Sequence, residues 1–380
     1  MRATDRARLS QPYPNNTIPP DRRLADALQV RLPTLHQLHD EIEGDLDTTL
    51  FGIGWWAPHP GTSRRILISD HLAQCVATVS RNLVGAQLHL VELADWWEQE
   101  GAFAADAISL GPQGQIQMRL PARTRPLDDV PTAMAGLHLS GFFHSVLSAL
   151  DCLGATIVGV LALPINIVRS SMASALETLN SSKARANPGQ QLQDDFRQQF
   201  EALMASSGPA DWFQWTLGFR NMLAHRGRRM QVSQLRPSHT LYGWDSRPIV
   251  RSELVHHLAR DPSISDVEVW LHRTARTLTL TEAAETSLKG VLASTLQLTE
   301  GTAAALVAAW RARRQTPQLL PQPRQQWPGG RSQPTFAFAG YAPDSVPTNP
   351  GMFSGHPQTK RRLQAAALDD AHRAAWASFD

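Results

Sequence analysis

The sequence predicts a mainly α fold, a helical bundle carrying a small β-containing insertion and a disordered C-terminal tail. Three observations predict it. From Arg65 to about Glu100, apolar residues recur at helical spacing through Ile66, Leu72, Val76, Val79, Leu83, Leu90 and Leu93, the pattern of a long helix with one face turned to a core. Between Val130 and Val168 the one formal charge is Asp151, which predicts a central helix buried on most sides. Trp212, Trp215, Phe219 and Met222 make an aromatic stripe at three- and four-residue steps, a further helix with a face to bury. A chain of 380 residues with 42% hydrophobic content has enough apolar surface for a core of one large or two ordinary domains.

Taken in order, residues 1–22 carry Arg2, Arg6, Arg8 and a Pro/Asn run with no apolar segment, a flexible arm and not a signal peptide. Leu24 to Leu46 reads as one helix or two short ones, interrupted by Pro33. Trp55 and Trp56 fall among Gly and Pro in a loop. The long helix that follows is expected to end at Trp96-Trp97. Gly101 to Asp129 is a turn-rich connection with room for a small hairpin around Ile108 and Ile116 to Leu120.

The central helix invites a membrane reading. Its uninterrupted apolar part after Asp151 is about a dozen residues, too short to span, so no stable membrane insertion is expected. Ser140, His144, Ser148 and Asp151 recur at steps of four, four and three, so they line one side of it. A buried carboxylate needs a partner, and Asp151 is expected to face Arg220 or His225 across the bundle, with His144 in the same supporting row. The plain alternative is that Asp151 bonds a neighbouring hydroxyl or backbone group.

Arg169 to Leu179 continues or restarts helix, Asn180 to Gly189 is a polar loop, and Gln191 to Ala205 is amphipathic through Phe196, Phe200 and Leu203. The aromatic helix is expected from Pro209 to Arg226, with Gly208 as its N-cap, Asp211 in its first turn and Gly227 at its C-terminal stop. Residues 228–277 change character, with Pro237, Tyr242-Gly243-Trp244 and Val267 to Leu271 marking the β-containing insertion. Thr279 and Glu282 form a capping box for a last long helix ending at Arg311 to Arg314. The helical domain thus spans 23–315. Residues 316–359 are a disordered Pro/Gln-rich linker, and 360–380 a short amphipathic helix.

Composition narrows the chemistry. A formal net charge of +2 describes a mildly basic protein, so any nucleic-acid contact must come from a local patch. Cys75 and Cys152 stand apart with no metal-ligand spacing and no disulfide framework, which predicts a cytoplasmic chain with no metal and no cofactor. P-loop, dinucleotide fingerprint, HExxH and nucleophile-elbow patterns are absent from the sequence, removing the common nucleotide-hydrolase, zinc-protease and serine-esterase readings.

What remains is Phe219-Arg220-Asn221-Met222-Leu223-Ala224-His225-Arg226-Gly227. An Arg separated from a following His by four to six residues is common by chance, about three or four times in such a chain; Arg31/His36, Arg65/His71 and Arg251/His256 also satisfy it. Requiring Asn directly after the Arg leaves Arg220 alone. At these residues the sequence resembles the HEPN superfamily, up-and-down helical-bundle proteins whose catalytic members carry an Arg, four to six residues, then His. The resemblance implies an HEPN-like bundle with Arg220 and His225 as the catalytic pair and Asn221 as the accompanying polar residue. It implies a metal-independent endoribonuclease of toxin or anti-phage defence type, a homodimer whose two motifs share one cleft, and an antitoxin or defence-system partner. Some toxin members carry a Tyr two positions after the His, as a site of nucleotidylation by an antitoxin; here that position is Gly227.

The chemistry can be stated from the residue types themselves. RNA cleaves itself when its 2′-OH attacks the adjacent phosphorus, so a protein need supply only proton transfer and charge stabilisation. Histidine titrates near neutral pH, and arginine offers a planar fork of donors to a phosphorane gaining negative charge. Arg226, Arg228 and Arg229 are placed to hold flanking phosphates of the RNA. Two other classes compete: a non-catalytic HEPN-like RNA-binding or dimerisation module, and a membrane-associated helical protein built on Val146 to Val168.

Overall fold

The computed structural model describes residues 30–45, 62–110, 116–118, 130–181, 189–225, 230–235, 238–243 and 284–316. They are mainly α-helical. Among the described residues the helices are α1 (Pro33–Asp45), α2 (Thr62–Ala107), α3 (Val130–Leu161), α4 (Met172–Asn180), α5 (Gln190–Ser206), α6 (Trp212–His225) and α7 (Ala284–Gln315), with a 3₁₀ turn at Ile167–Arg169. Two short antiparallel pairs accompany them. β1 (Ile108–Leu110) runs against β2 (Ile116–Met118) with Ser109 opposite Gln117, and β3 (Met230–Leu235) against β4 (Ser238–Gly243) with Val232 opposite Leu241. The N-terminal arm, Trp55-Trp56, the rest of 228–277, the Thr279/Glu282 capping box and the expected tail and terminal helix lie outside the described residues.

Several boundaries differ from expectation for local reasons. Pro33 begins α1, because a first-turn proline gives up only an N–H that had no partner; the part of the expected Leu24 to Leu46 helix before residue 30 lies outside the described residues. α2 runs through Trp96-Trp97 and Gly101 to Ala107. α4 restarts after the 3₁₀ turn, where Ser171 and Ser174 form a capping box: the Ser174 N–H donates to Ser171 Oγ at 3.2 Å and the Ser171 N–H to Ser174 Oγ at 2.8 Å.

The described residues divide into two compact units. The first holds Thr78–Asp151 and Phe200–Thr302. In it α2 and α3 run antiparallel, and Gly85 stands against Ser145 as Gly141 stands against His89. A Cβ at position 141 would meet the His89 ring, so the missing side chain lets an imidazole lie against the α3 backbone. Beside this seam Phe143 stacks on Phe219 with ring centroids 4.6 Å apart, and Trp215 lies 4.9 Å from Phe219. Phe142, Phe143 and Phe219 are fully buried, and this aromatic cluster fixes α6 on α3.

The second unit holds the described residues of Thr34–Ala77 and Cys152–Gln199 and those from Ala303 to Thr316, and it encloses the C-terminal end of α3. Four carbonyls at a helix end have no partner within the helix. Here each finds one. Leu163 N–H donates to Val158 O at 3.0 Å and Ala162 N–H to Gly159 O at 3.3 Å, a Schellman closure with Ala162 at φ 49 in the left-handed region that favours glycine. Buried Gln193 donates to Leu161 O at 3.0 Å, and Arg313 Nη1 donates to Gly159 O at 3.1 Å and to Val160 O. Arg313 is 1% exposed, and burial pushes its guanidinium down to about 9, which leaves it charged at neutral pH. In the same unit α1 is tied to α7: Trp310 Nε1 donates to Asp45 at 2.7 Å, while Arg311 and Arg314 pair with Glu41. Burial works to raise Glu41, but these two guanidinium groups override it and hold the carboxyl below its usual range.

Two helices, Ala133–Leu161 in α3 and Ala284–Gln315, are long and apolar enough to cross a membrane by length and composition. This corrects the expectation of an apolar stretch too short to span, because α3 passes through Asp151 without a break. Most of the apolar window of α3 is buried among the protein's own residues.

Candidate active site

α6 carries the Arg-Asn-x₃-His motif, and its start differs from the sequence expectation. Gly208, Pro209 and Ala210 form a bend, and Asp211 sits at φ 63, outside the helix. The Asp211 carbonyl accepts the first helical bond, from Trp215 N–H at 2.9 Å, so Asp211 is the cap and not a first-turn residue. The helix therefore has 14 residues, about four turns and not five.

Its apolar face is the expected one: Trp212 and Phe219 are buried, and Trp215 is half-buried. Gln214 is exposed and Gly218 half-buried. Helical register continues their row through Asn221 to His225, the last residue of the helix, with Arg220 one position before Asn221. The side chains of Arg220, Asn221, Met222 and His225 lie outside the described residues, as do Arg226, Arg228 and Arg229.

The expected supporting row is placed differently. Ser140, His144, Ser148 and Asp151 do share one side of α3, but Ser140 and His144 are exposed, and Ser148 and Asp151 are half-buried. The row is the outward stripe of the helix, together with exposed Ala133, Gly136 and Leu137, and not a buried polar seam. His144 therefore stands at the surface, and Asp151 is a boundary carboxylate, not a core one.

Other groups form arrangements that sequence spacing did not single out. His71, whose spacing from Arg65 matches the bare motif, bonds to the Ile167 backbone and lies 3.5 Å from Cys75 Sγ. That ring has a local structural role. Burial, then the neighbouring Cys152, push the Cys75 thiol up to about 12, leaving it protonated and inert at neutral pH. Cys75 and Cys152 are not joined in a disulfide. His89 Nδ1 and His138 Nδ1 are 3.2 Å apart, so one ring donates and the other accepts. Both are half-buried. Among the described residues no group of three His, Cys, Asp or Glu side chains is assembled as metal ligands.

These imidazoles give the fold a pH dependence. Burial, then His138, hold His89 below the usual imidazole value of 6.5, and burial does the same for His71. Between each lowered value and 6.5 the unfolded chain binds more protons than the folded one, so stability falls as pH is lowered through that window. Thermal melts from about pH 8 to pH 5 should show this loss, and His89→Gln should flatten part of it. An unchanged pH profile in that variant would show that His89 titrates alike in both states.

Neither a family model, nor a curated protein, nor a solved structure matches this chain.

Proposed function

We propose that the protein is a metal-independent endoribonuclease of toxin or anti-phage defence type, working through Arg220 and His225. The observation that carries this reading is the continuity of α6, which runs unbroken from a buried aromatic anchor to His225 and so brings Arg220, Asn221 and His225 into its last two turns. His225 removes the proton from the RNA 2′-OH as the 2′-oxygen bonds to phosphorus, and a proton is returned to the 5′-oxygen as its bond to phosphorus breaks. The products are a 2′,3′-cyclic phosphate and a 5′-OH. Arg220 offers paired N–H donors to the non-bridging oxygens as they gain charge, with Asp151 orienting it and Asn221 adding a polar contact. Arg226, Arg228 and Arg229 hold flanking phosphates. An HEPN-like arrangement of the helices, the pairing of two protomers at one cleft, an antitoxin or defence-system partner and a cytoplasmic location belong to the same proposal and rest on the motif's resemblance.

The nucleophile in this scheme belongs to the RNA. Cleavage is therefore expected to persist in excess chelator and to leave 2′,3′-cyclic phosphate ends, read by end-group analysis of the fragments. A strict requirement for Mg²⁺, or 3′-OH products, would rule the scheme out.

A further inference from the structure

The aromatic stack that fixes α6 also brings a second imidazole to the motif helix. Phe143 lies between Trp215 and Phe219, with ring centroids 6.0 and 4.6 Å away, so this turn of α3 faces α6. Two residues on, Ser145 faces α2, because its side chain is the one that meets Gly85. His144 stands between them and is exposed. Successive helical residues are about 100° apart, which places His144 on the solvent side of α3, between the face that holds α6 and the face that holds α2.

On α6 a rotation of the same size leads to the motif histidine. Trp215 and Phe219 hold Phe143, and the row through Gln214, Gly218, Asn221 and His225 lies about 100° round the helix from them. Gln214, at the start of that row, is exposed. His225 comes six residues after Phe219, about 9 Å along the axis, and packed helix axes stand about 8–10 Å apart. The backbone positions 144 and 225 are thus within the span of two imidazoles with one phosphate between them.

We propose that His144 is the general acid of RNA cleavage, the group that returns a proton to the departing 5′-oxygen; this role rests on the reading of His225 as the base. A 5′-alkoxide is too basic to leave as an anion near neutral pH, so the reaction needs a donor on the side opposite the 2′-oxygen. Histidine can hold that proton in the neutral range. As the bond from the 2′-oxygen to phosphorus forms, the 2′-OH proton passes to neutral His225. As the bond from phosphorus to the 5′-oxygen breaks, the proton of a His144 imidazolium passes to that oxygen, each ring working within about 2.6–3.2 Å of its oxygen. Each histidine ends in the protonation state in which the other began, and exchange with solvent resets both. Nothing is oxidised or reduced.

The test uses the full chain and two substrates, an ordinary RNA and the same RNA with sulfur in place of the bridging 5′-oxygen. A thiolate leaves without a proton, so a general acid no longer contributes. His144→Gln is expected to lower kcat/KM on ordinary RNA by about 10²-fold or more and to cleave the 5′-thio RNA at the parent rate, whereas His225→Ala lowers both. The pH–rate profile of the parent on ordinary RNA should be bell-shaped, and His144→Gln should lose the fall on its alkaline side. Equal cleavage of ordinary RNA by His144→Gln and parent would overturn the assignment. So would a loss that the 5′-thio RNA does not restore, which would mark a role in binding or folding. If His225→Ala is inactive while His144→Gln is unaffected, this role alone falls; if the parent cleaves neither substrate, the nuclease reading falls and takes this role with it.

Discussion

Replacing His225 by alanine is expected to lower RNA cleavage by about 10²–10⁴-fold while leaving helical content unchanged. The two halves of that expectation have separate grounds. Proton transfer by a positioned imidazole supplies a rate factor of that order, and His225 is the one histidine of the motif. The helix itself is held at its other end, by buried Trp212 and Phe219 and the stacking of Phe143 on Phe219. Loss of an imidazole from the final turn removes only a favourable dipole interaction worth about 0.3–1 kcal/mol. Single-turnover cleavage and far-ultraviolet circular dichroism of parent and variant measure both halves. Equal cleavage would remove His225 from the mechanism, whereas loss of helix content would show that the ring is there to cap a helix end. Asp151→Asn adds a second arm. If Asp151 orients Arg220, it lowers cleavage in the parent but adds nothing in an Arg220→Gln background.

The second large effect is on stability. Arg313→Ala is expected to destabilise the fold by about 3–5 kcal/mol, read as a lower urea midpoint. Three contributions meet at this residue. Removing a fully buried large side chain leaves a cavity, worth a few kcal/mol at comparable core sites. Gly159 O and Val160 O, at the buried end of α3, each lose the Arg313 donor, adding about 1–3 kcal/mol. Against these stands relief from burying a charge: among the described residues Nε and Nη2 meet no acceptor, and such a charge is expensive to desolvate. The cavity and the exposed carbonyl outweigh that relief in the alanine variant. Arg313→Met keeps most of the volume and drops the charge, so it should lose much less. A methionine variant more stable than the parent would show that the desolvation penalty exceeds what the helix cap contributes.

The sequence by itself determined the elements whose signal is local. The spacing of Trp212, Phe219 and Gln214 assigned the buried and exposed sides of α6, because a 3.6-residue period sorts side chains by face before any partner is chosen. The same period located α2, α3, α5 and α7 to within a few residues at their well-marked ends. The grouping of Arg220, Asn221 and His225 is likewise a property of a continuous helix.

What only the tertiary structure decided involves residues distant in sequence. The spacing of Ser140, His144, Ser148 and Asp151 assigned them to one side of α3, but whether that side faces core or solvent depends on which helices pack around it, and Ser140 and His144 face solvent. Asp211 sits in the left-handed region ahead of α6, where first-turn residence was expected. His89 and His138 are 49 residues apart and meet only because Gly141 admits a ring at the α2–α3 seam. Arg313 reads in the sequence as one of several arginines suited to a helix C-terminus, a solvated position by local rules. Its guanidinium is instead buried against carbonyls of α3 more than 150 residues earlier. A helix end forced into the interior must find donors there, and chain topology decides which residue can reach it.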